Sequence, residues 1–590
     1  VGRRAALAAV VVSGVLALSP LRHSAYIQDD HLAIEKNAIV ARGDLREILS
    51  TDYWAGAQGS DQGLYRPTTI ASYAWEVAAV GRPDPTVSHL INLALHLAVS
   101  CLLLVLALRL GIGLFGATAA GLLFALHPLH VEPVANVVGR AELLAALGAL
   151  GALHLWTWTG AWDPIAAPPA GRARAAAWAA AFALLVGVGA KEVAIVALAW
   201  LGLADLLWRP PAPGRLRPWL LERAAAVAPS LLALELYVVF RVRALRAFPG
   251  VQHVHPTDNP LLLLEEPQRS ASALALLARY VRRFLWPQGL AIDVSGPVFP
   301  PEPGLLAPRV LVALLVLAAA SAAIAWPLVA RRGRSRARIL AMSAAIFLLP
   351  YLVISNLVVP IGALFADRLF YLPSAGLCLA AGLLAAALSG TLGLTDLGRL
   401  KRPLAAALLL LALVCGLWSW RRTRVWQNDA TIFADALTVH PTSPRSHYIL
   451  GKLAADAGRH EEALDSLDRA IAAWPDYIPA YQEKGVVLGR MGRLPQAEEA
   501  FRQTLRRSPA YDAAHYNLGL VLRRQGRLAE AERELRKALL IDPRYARAWA
   551  ELGHLRLDQG RRAEAADAYR HAIALGRDDL RPLLLGLTTP

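Results

Sequence analysis

The chain has 590 residues, of which 56% are hydrophobic and 18% charged, with a mean hydropathy of +0.40. It is too apolar for a soluble protein and too long for one domain, so a membrane protein carrying an added part is expected. The formal net charge of +16 does not point to nucleic acid, because many arginines sit in short loops between apolar runs, where they orient a chain in a bilayer. Cys101, Cys378 and Cys415 lie inside apolar runs without CxxC spacing, so neither a disulfide framework nor a zinc site is indicated.

Apolar runs near the roughly 17 to 25 residues that cross a bilayer begin at 5–21, a run that also has the look of a signal peptide without a clear cleavage motif before Tyr26. A long polar and aromatic stretch follows, 22–87. Further spans are expected at 88–108, 114–126, 142–158, 175–190, 193–208, 224–240, 309–330, 339–354, 369–389 and 404–420, about eleven in all. The basic run 271–286, with Arg279, Arg282 and Arg283, is expected as an interfacial helix. Alternate threading puts Arg3, Arg4, Arg109, Arg172, Arg174 and the basic stretches 209–223, 331–338 and 399–402 on one side, the cytoplasmic one by the positive-inside rule. The stretches 22–87, 127–140, 191–192, 242–270, 288–308 and 355–368 then share the other side. Arg421, Arg422 and Arg424 run against this layout.

Beyond residue 443 the composition turns soluble, and Pro441, Pro475, Pro509 and Pro543 recur every 34 residues. Gly451, Gly485, Gly519 and Gly553 keep the same period, as do Gly458, Gly492, Gly526 and Gly560, and Ala463, Ala497, Ala531 and Ala565. With aromatics at Tyr448, Tyr481, Tyr516 and Trp549, this is the tetratricopeptide pattern, whose small residues let paired helices approach and whose proline ends each repeat. Such an array either binds a protein in its groove or stacks as a scaffold without a single ligand. The expected fold is all-α: a polytopic membrane domain over 1–425, a linker over 426–442, four repeats over 443–576 and a tail over 577–590.

The polar residues of the membrane half form a few clusters. The adjacent carboxylates Asp29 and Asp30 suit removal of a proton from an acceptor hydroxyl or the holding of a divalent metal; taken alone the pair better fits a solvated turn or cap after a span, and the rest of its loop favours the functional reading. Their loop continues through Asn37, Trp54, Tyr65, Arg66 and Pro67, a set fit to line a sugar pocket. His127, His130 and Glu132 precede Asn136, Arg140 and Glu142. Pro128 and Pro133 disfavour the helical HExxH geometry, which makes metal binding the lesser reading. Arg140 fits a phosphate ligand, or else a snorkelling arginine. Lys191 and Glu192, and likewise Asp367, Arg368 and Tyr371, are polar groups set among apolar runs and read either as functional or as structural pairs. His89, Asn92 and His96 share one helical face and either line a polar cavity or join helices by hydrogen bonds, the second being favoured for His96.

Across D-D-H-L-A-I-E-K-N (29–37), Y-R-P (65–67), H-L-I-N-L-A-L-H (89–96), H-P-L-H-V-E-P-V-A-N-V-V-G-R-A-E-L-L (127–144), K-E (191–192) and S-N-L-V-V-P-I-G-A-L-F-A-D-R-L-F-Y-L-P-S (355–374), the chain resembles the transmembrane and tetratricopeptide-repeat protein O-mannosyltransferases, within the C-type superfamily of membrane glycosyltransferases. The resemblance implies transfer of a sugar from a polyprenyl-phosphate carrier to a protein hydroxyl outside the cytoplasm. It implies Asp29 or Asp30 as the base, and Arg140, Lys191 and Arg368 as ligands of the departing phosphate. Tyr65, Arg66, His89, Asn92, His127, His130, Glu132, Glu192, Asp367 and Tyr371 are expected around the substrates. Beyond a possible divalent metal no cofactor is indicated. The expected partners are the membrane, the lipid-linked donor and an acceptor protein held by the repeats. Abundant Arg and Ala with few Lys suggest a bacterial plasma membrane. A non-catalytic membrane scaffold is the alternative. A transporter fits less well, because the ionisable residues gather at one surface rather than along a midplane path.

Overall fold

The computed structural model describes residues 2–57, 63–160, 170–246, 254, 259–292, 298, 300–330, 335–389 and 401–588. Parts of the expected loops 22–87, 242–270 and 288–308, of the basic stretches 331–338 and 399–402, and of the 577–590 tail lie outside them. Among the described residues every regular element is helical. The chain divides into two compact units, one reaching Asp435 and one beginning at Ala436.

Among the described residues of the first unit eight helices are long and apolar enough to cross a membrane: Pro85–Arg109, Val137–Thr159, Gly171–Ala190, Leu216–Leu245, Pro308–Val329, Ser335–Ile354, Asp367–Leu388 and Pro403–Val425. Three other expected spans fall short as single helices, each for a local reason. The first helix, Gly2–Ala17, has 16 residues, or roughly 24 Å at 1.5 Å per residue. Leu114–Leu126 stops at His127, ahead of Pro128, and the following Pro128–Ala135 segment is bent from it by 50°. The 193–208 run is broken because Lys191 adopts extended backbone (φ −158°, ψ 140°) and leads into a 3-10 turn, Glu192–Val196, ahead of Ala197–Trp208.

Glycines let these helices touch backbone to backbone, which is how apolar helices associate where lipid gives no hydrophobic drive. A Cβ on Gly148 would stand 2.5 Å from the Cα of Gly187, and one on Gly116 would stand 2.3 Å from the carbonyl oxygen of Gly382. In the helix Gln268–Leu285, expected to lay a basic face on the interface, Arg282 is exposed, whereas Arg283 turns inward and Arg279 is half-buried. Arg283 is buried and pairs with Asp367 at 2.5 Å, and Arg279 pairs with Glu302 at 3.3 Å. Tyr280 stacks on Phe365 and Phe370 with centroids 4.1 and 4.8 Å away. Buried charges of this kind need partners, and the loop after Ser355 supplies one in Asp367.

The 22–87 stretch is itself folded. Helices Ala38–Arg42, Leu45–Ser50 and Pro67–Val80 close over a core that includes Ile34, Ile39, Ile48, Tyr53, Ile70 and Tyr73. Asn37 caps the first of these by accepting the N–H groups of Ile39 and Val40. The 426–442 stretch is also structured. It carries the helix Asp429–Val439, with Trp426, Ile432 and Phe433 wholly buried and Arg422 paired with Asp435.

The second unit stacks helix pairs from Pro444–Asp456 and His460–Ala473 to Ala546–Asp558 and Arg562–Ala574. Each first-helix glycine meets the residue 16 positions on: Gly451 faces Leu467, Gly485 faces Phe501, Gly519 faces Leu535 and Gly553 faces Tyr569. Gly458, Gly492, Gly526 and Gly560 end the first helices at φ between +73° and +78°, where glycine carries no steric penalty. The aromatic series needs a correction. The residues strictly in phase are His447, Tyr481, His515 and Trp549, and Tyr448 and Tyr516 stand one place beyond. Ring N–H groups of His447, His515 and Trp549 donate to the carbonyls of Pro441, Pro509 and Pro543 at 2.9 to 3.0 Å, tying each helix to the turn before it.

Candidate functional site

The two adjacent carboxylates have different surroundings. Asp30 is wholly buried and accepts the backbone N–H groups of Ile27 at 3.2 Å, Val137 at 3.2 Å and Val138 at 2.8 Å, so it bolts the loop to the turn at 136–139. Burial raises its pKa from 3.8 to about 7, outweighing those three donors. Asp29 is half-buried and has no hydrogen-bond partner among the described residues. Its charge acts on Arg368.

Three cations, Arg66, Lys191 and Arg368, are linked electrostatically to it or to one another. Arg66 precedes the helix Pro67–Val80, lies over the Tyr53 ring at 5.5 Å, and keeps a buried Nε–H without a hydrogen-bond partner. Lys191 stands at the break between two helices and pairs with Glu142. Burial lowers the Lys191 pKa, Glu142 opposes this, and the charges of Arg66 and Arg368 lower it further. Arg368 is the second residue of the 3-10 turn Asp367–Phe370, just before the helix Tyr371–Leu388, and pairs with Glu132 at 2.6 Å. Glu192 accepts from Arg241 at 2.8 Å and lies 4.0 Å from Arg66. Contacts thus join Glu192 to Arg66 and Arg241, Lys191 to Glu142 and Arg368 to Glu132, and the charge of Asp29 acts on Arg368.

Other expected site residues sit elsewhere, in protein-only networks. Arg140 is fully buried: it pairs with Glu76 at 2.7 Å and donates to Asn92 Oδ1 at 2.9 Å and the Ser88 carbonyl at 3.1 Å, over the face of Tyr73. Its guanidinium is therefore spent on the protein itself rather than left for a phosphate. Asn92 also donates toward the carbonyls of Val134, Asn136 and Val137, so it holds the same turn that Asp30 grips from the N–H side. His89 bonds the Pro85 carbonyl.

The histidines of the 127–130 motif are joints rather than ligands. His127 bonds the Phe284 carbonyl and the Leu129 N–H, and His130 bonds the Phe124 carbonyl and Ser374. Tyr371 meets His96 at 2.8 Å, as the helix-joining reading of His96 expects. Asp367 belongs to Arg283, and Tyr65 donates to the Leu49 carbonyl. Among the described residues no group of three or more His, Cys, Asp and Glu side chains is arranged to hold a metal ion.

Several residues in this architecture were not singled out from the sequence. Glu76 lies in a stretch read as loop, where helical spacing places it on the buried face of Pro67–Val80. Arg241 falls between the expected span 224–240 and the stretch 242–270, and Arg283 lies in the run expected as an interfacial helix. Asp429 sits in the stretch read as a linker, and its Oδ1 accepts the Gln28 N–H at 3.0 Å.

Tetratricopeptide-repeat family models match residues 430–478, 483–543 and 548–583. Over the longer chain, the protein O-mannosyl-transferase TMTC3 of Mus musculus is 25% identical, covering 79% of this chain and 51% of its own length. TMTC4 of Mus musculus is 27% identical over 74% of this chain and 62% of its own length, and the protein O-mannosyl-transferase F38B6.6 of Caenorhabditis elegans is 25% identical over 77% and 60%. The chain thus spans between 51% and 62% of the length of these curated relatives. Among solved structures, the crystal structure of MamA matches 26% of this chain and 89% of its own at 23% identity, with a TM-score of 0.24. The chain is a relative of the transmembrane and tetratricopeptide-repeat protein O-mannosyl-transferases, with tetratricopeptide repeats in its C-terminal part.

Proposed function

We propose that this protein transfers a mannosyl group from a polyprenyl-phosphate carrier to Ser or Thr hydroxyls of proteins, at the extracytoplasmic face of a membrane. Asp29 takes the proton of the acceptor hydroxyl as its oxygen attacks the anomeric carbon. The bond from that carbon to the carrier's phosphate oxygen breaks in the same step, inverting the anomeric centre, and the phosphate leaves with the electron pair. Arg66, Lys191 and Arg368 receive the developing phosphate charge. Arg140 has no part in donor binding in this reading, since Glu76 and Asn92 occupy it. The repeats engage the acceptor protein. The printed activity of the relatives supports the reaction class, and the observation that carries the residue assignment is a half-buried Asp29 carboxylate with no hydrogen-bond partner among the described residues, whose charge acts on Arg368.

The test is transfer from polyprenyl-phosphate mannose to a membrane-extract acceptor by the wild-type chain, Asp29→Asn and Asp30→Asn at matched expression. Loss of transfer by about 100-fold or more in Asp29→Asn, with thermal unfolding unchanged, is expected. Retained transfer in Asp29→Asn would show that another group is the base. No transfer by the wild type from any of several lipid-linked sugars would favour the scaffold.

A further inference from the structure

The backbone that carries Asp29 is held in an unfavourable conformation by a residue 400 positions away. Gln28, directly before Asp29, has φ +46°, in the left-handed region that a non-glycine residue adopts at a cost. Such a conformation persists only where the surroundings impose it. Here its N–H donates to Asp429 Oδ1 at 3.0 Å, and three residues earlier the Ala25 N–H donates to the Gln427 carbonyl at 2.9 Å. His31 Nε2 lies 3.9 Å from the other Asp429 oxygen.

The segment that does this is well anchored. Asn428 caps the helix Asp429–Val439: its Oδ1 accepts the Thr431 N–H at 3.0 Å while its own N–H donates to Thr431 Oγ1 at 3.2 Å. With the cap supplied by Asn428, the Asp429 side chain is left to reach Gln28. Behind it Trp426 is fully buried, and Arg422 and Asp435 form an ion pair that spans the turn.

We infer that Asp429 is a positioning residue for Asp29. It fixes the Gln28 peptide, and with the Asp30 clamp on the opposite side it sets where the Asp29 carboxylate stands. The carboxylate loop is thus held from two directions: by the turn at 136–139 through Asp30, and by the 427–429 segment through Gln28 and Ala25. The part of the chain that follows the last long apolar helix belongs to the reaction centre and is more than a tether for the repeats.

The inference rests on Asp29 being the base, and the experiment separates the two ideas. In the purified full-length chain, hydrogen exchange of the amides at 25–31 is compared in the wild type, Asp429→Ala, Asp429→Asn and the double variant Gln28→Gly with Asp429→Ala, alongside kcat and donor KM. Asp429→Ala is expected to speed exchange at 28–30 at least 10-fold and to lower kcat at least 10-fold, with donor KM within 2-fold. Asp429→Asn keeps an acceptor oxygen and is expected to restore most of both. Gln28→Gly, which needs no outside force to adopt φ +46°, is expected to recover part of the kcat lost in Asp429→Ala. Unchanged exchange in Asp429→Ala overturns the inference, and so does faster exchange with kcat intact in a chain where Asp29→Asn abolishes transfer. Faster exchange in Asp429→Ala together with full transfer in Asp29→Asn upholds the hold on the loop and defeats the assignment of the base instead.

Discussion

Arg140 and Glu76 form an ion pair at 2.7 Å in which neither side chain is exposed by more than 1%. Glu76 also accepts the Ser88 hydroxyl, and Ser88 meets Tyr26 at 3.0 Å, so the pair lies directly behind the loop that carries Asp29 and Asp30.

Removing one member of this pair leaves the other as an uncompensated buried charge. Glu76→Gln is therefore expected to destabilise the folded chain by about 3 to 5 kcal/mol. Thermal unfolding in detergent measures it. Replacing both members with apolar residues, Glu76→Leu with Arg140→Met, is expected to recover most of that loss.

Asp30 gives stability a pH dependence of definite sign. Its folded pKa is raised from 3.8 to about 7, so the folded state holds a proton that the unfolded state releases. The resulting stabilisation is complete below pH 3.8, declines as the pH rises, and is gone above about pH 7, with a slope of at most about 1.4 kcal/mol per pH unit. The Asp30→Asn variant lacks this titration. The difference in unfolding temperature between wild type and Asp30→Asn is expected to shift against the wild type from pH 4 to pH 7 and to level off beyond, as read by unfolding scans at stepped pH.

Arg66, Lys191 and Arg368 are expected to act together on a departing phosphate. Arg66→Gln, Lys191→Met and Arg368→Gln should each lower kcat/KM for the lipid-phosphate donor by about 100-fold. Paired variants should lose less than the product of the single losses, because the three charges share one ligand. Steady-state kinetics with varied donor check this. By contrast, Arg140→Gln should show itself first as lost thermal stability.

In the repeats, substitution at the first-helix glycines should follow the rigidity of what each faces. A Cβ at Gly485 would lie 2.6 to 2.8 Å from the Phe501 ring, whereas at Gly451 the nearest atom is 3.0 Å away on Leu467. Gly485→Ala is expected to cost about 1 to 3 kcal/mol and Gly451→Ala less. Limited proteolysis of the repeat unit in the full-length chain, followed across temperature, ranks the two.

The repeats were the most legible part of the sequence. In a stack where each unit touches only its neighbours, a 34-residue period fixes contacts directly, so Gly485 must face Phe501 as Gly519 faces Leu535. Even there the aromatics Tyr448 and Tyr516 stand one place out of phase, because ring size alone does not mark phase. The phase is set by His447, His515 and Trp549 bonding the proline carbonyls.

In the membrane half, apolar runs determined where most long helices lie, and uncommon polar residues marked the region around Asp29, Lys191 and Arg368. What the sequence by itself could not determine was whether a given polar side chain faces the protein or a substrate. A buried group must be paired whichever it faces, and its partner is often hundreds of residues distant. Arg140 and Asn92 proved to be occupied by protein, as did both histidines of the 127–130 motif. The neighbours Asp29 and Asp30 look equivalent in sequence. Only the tertiary structure separates them, because folding brings the N–H groups of Val137 and Val138 to Asp30 and gives Asp29 no hydrogen-bond partner among the described residues.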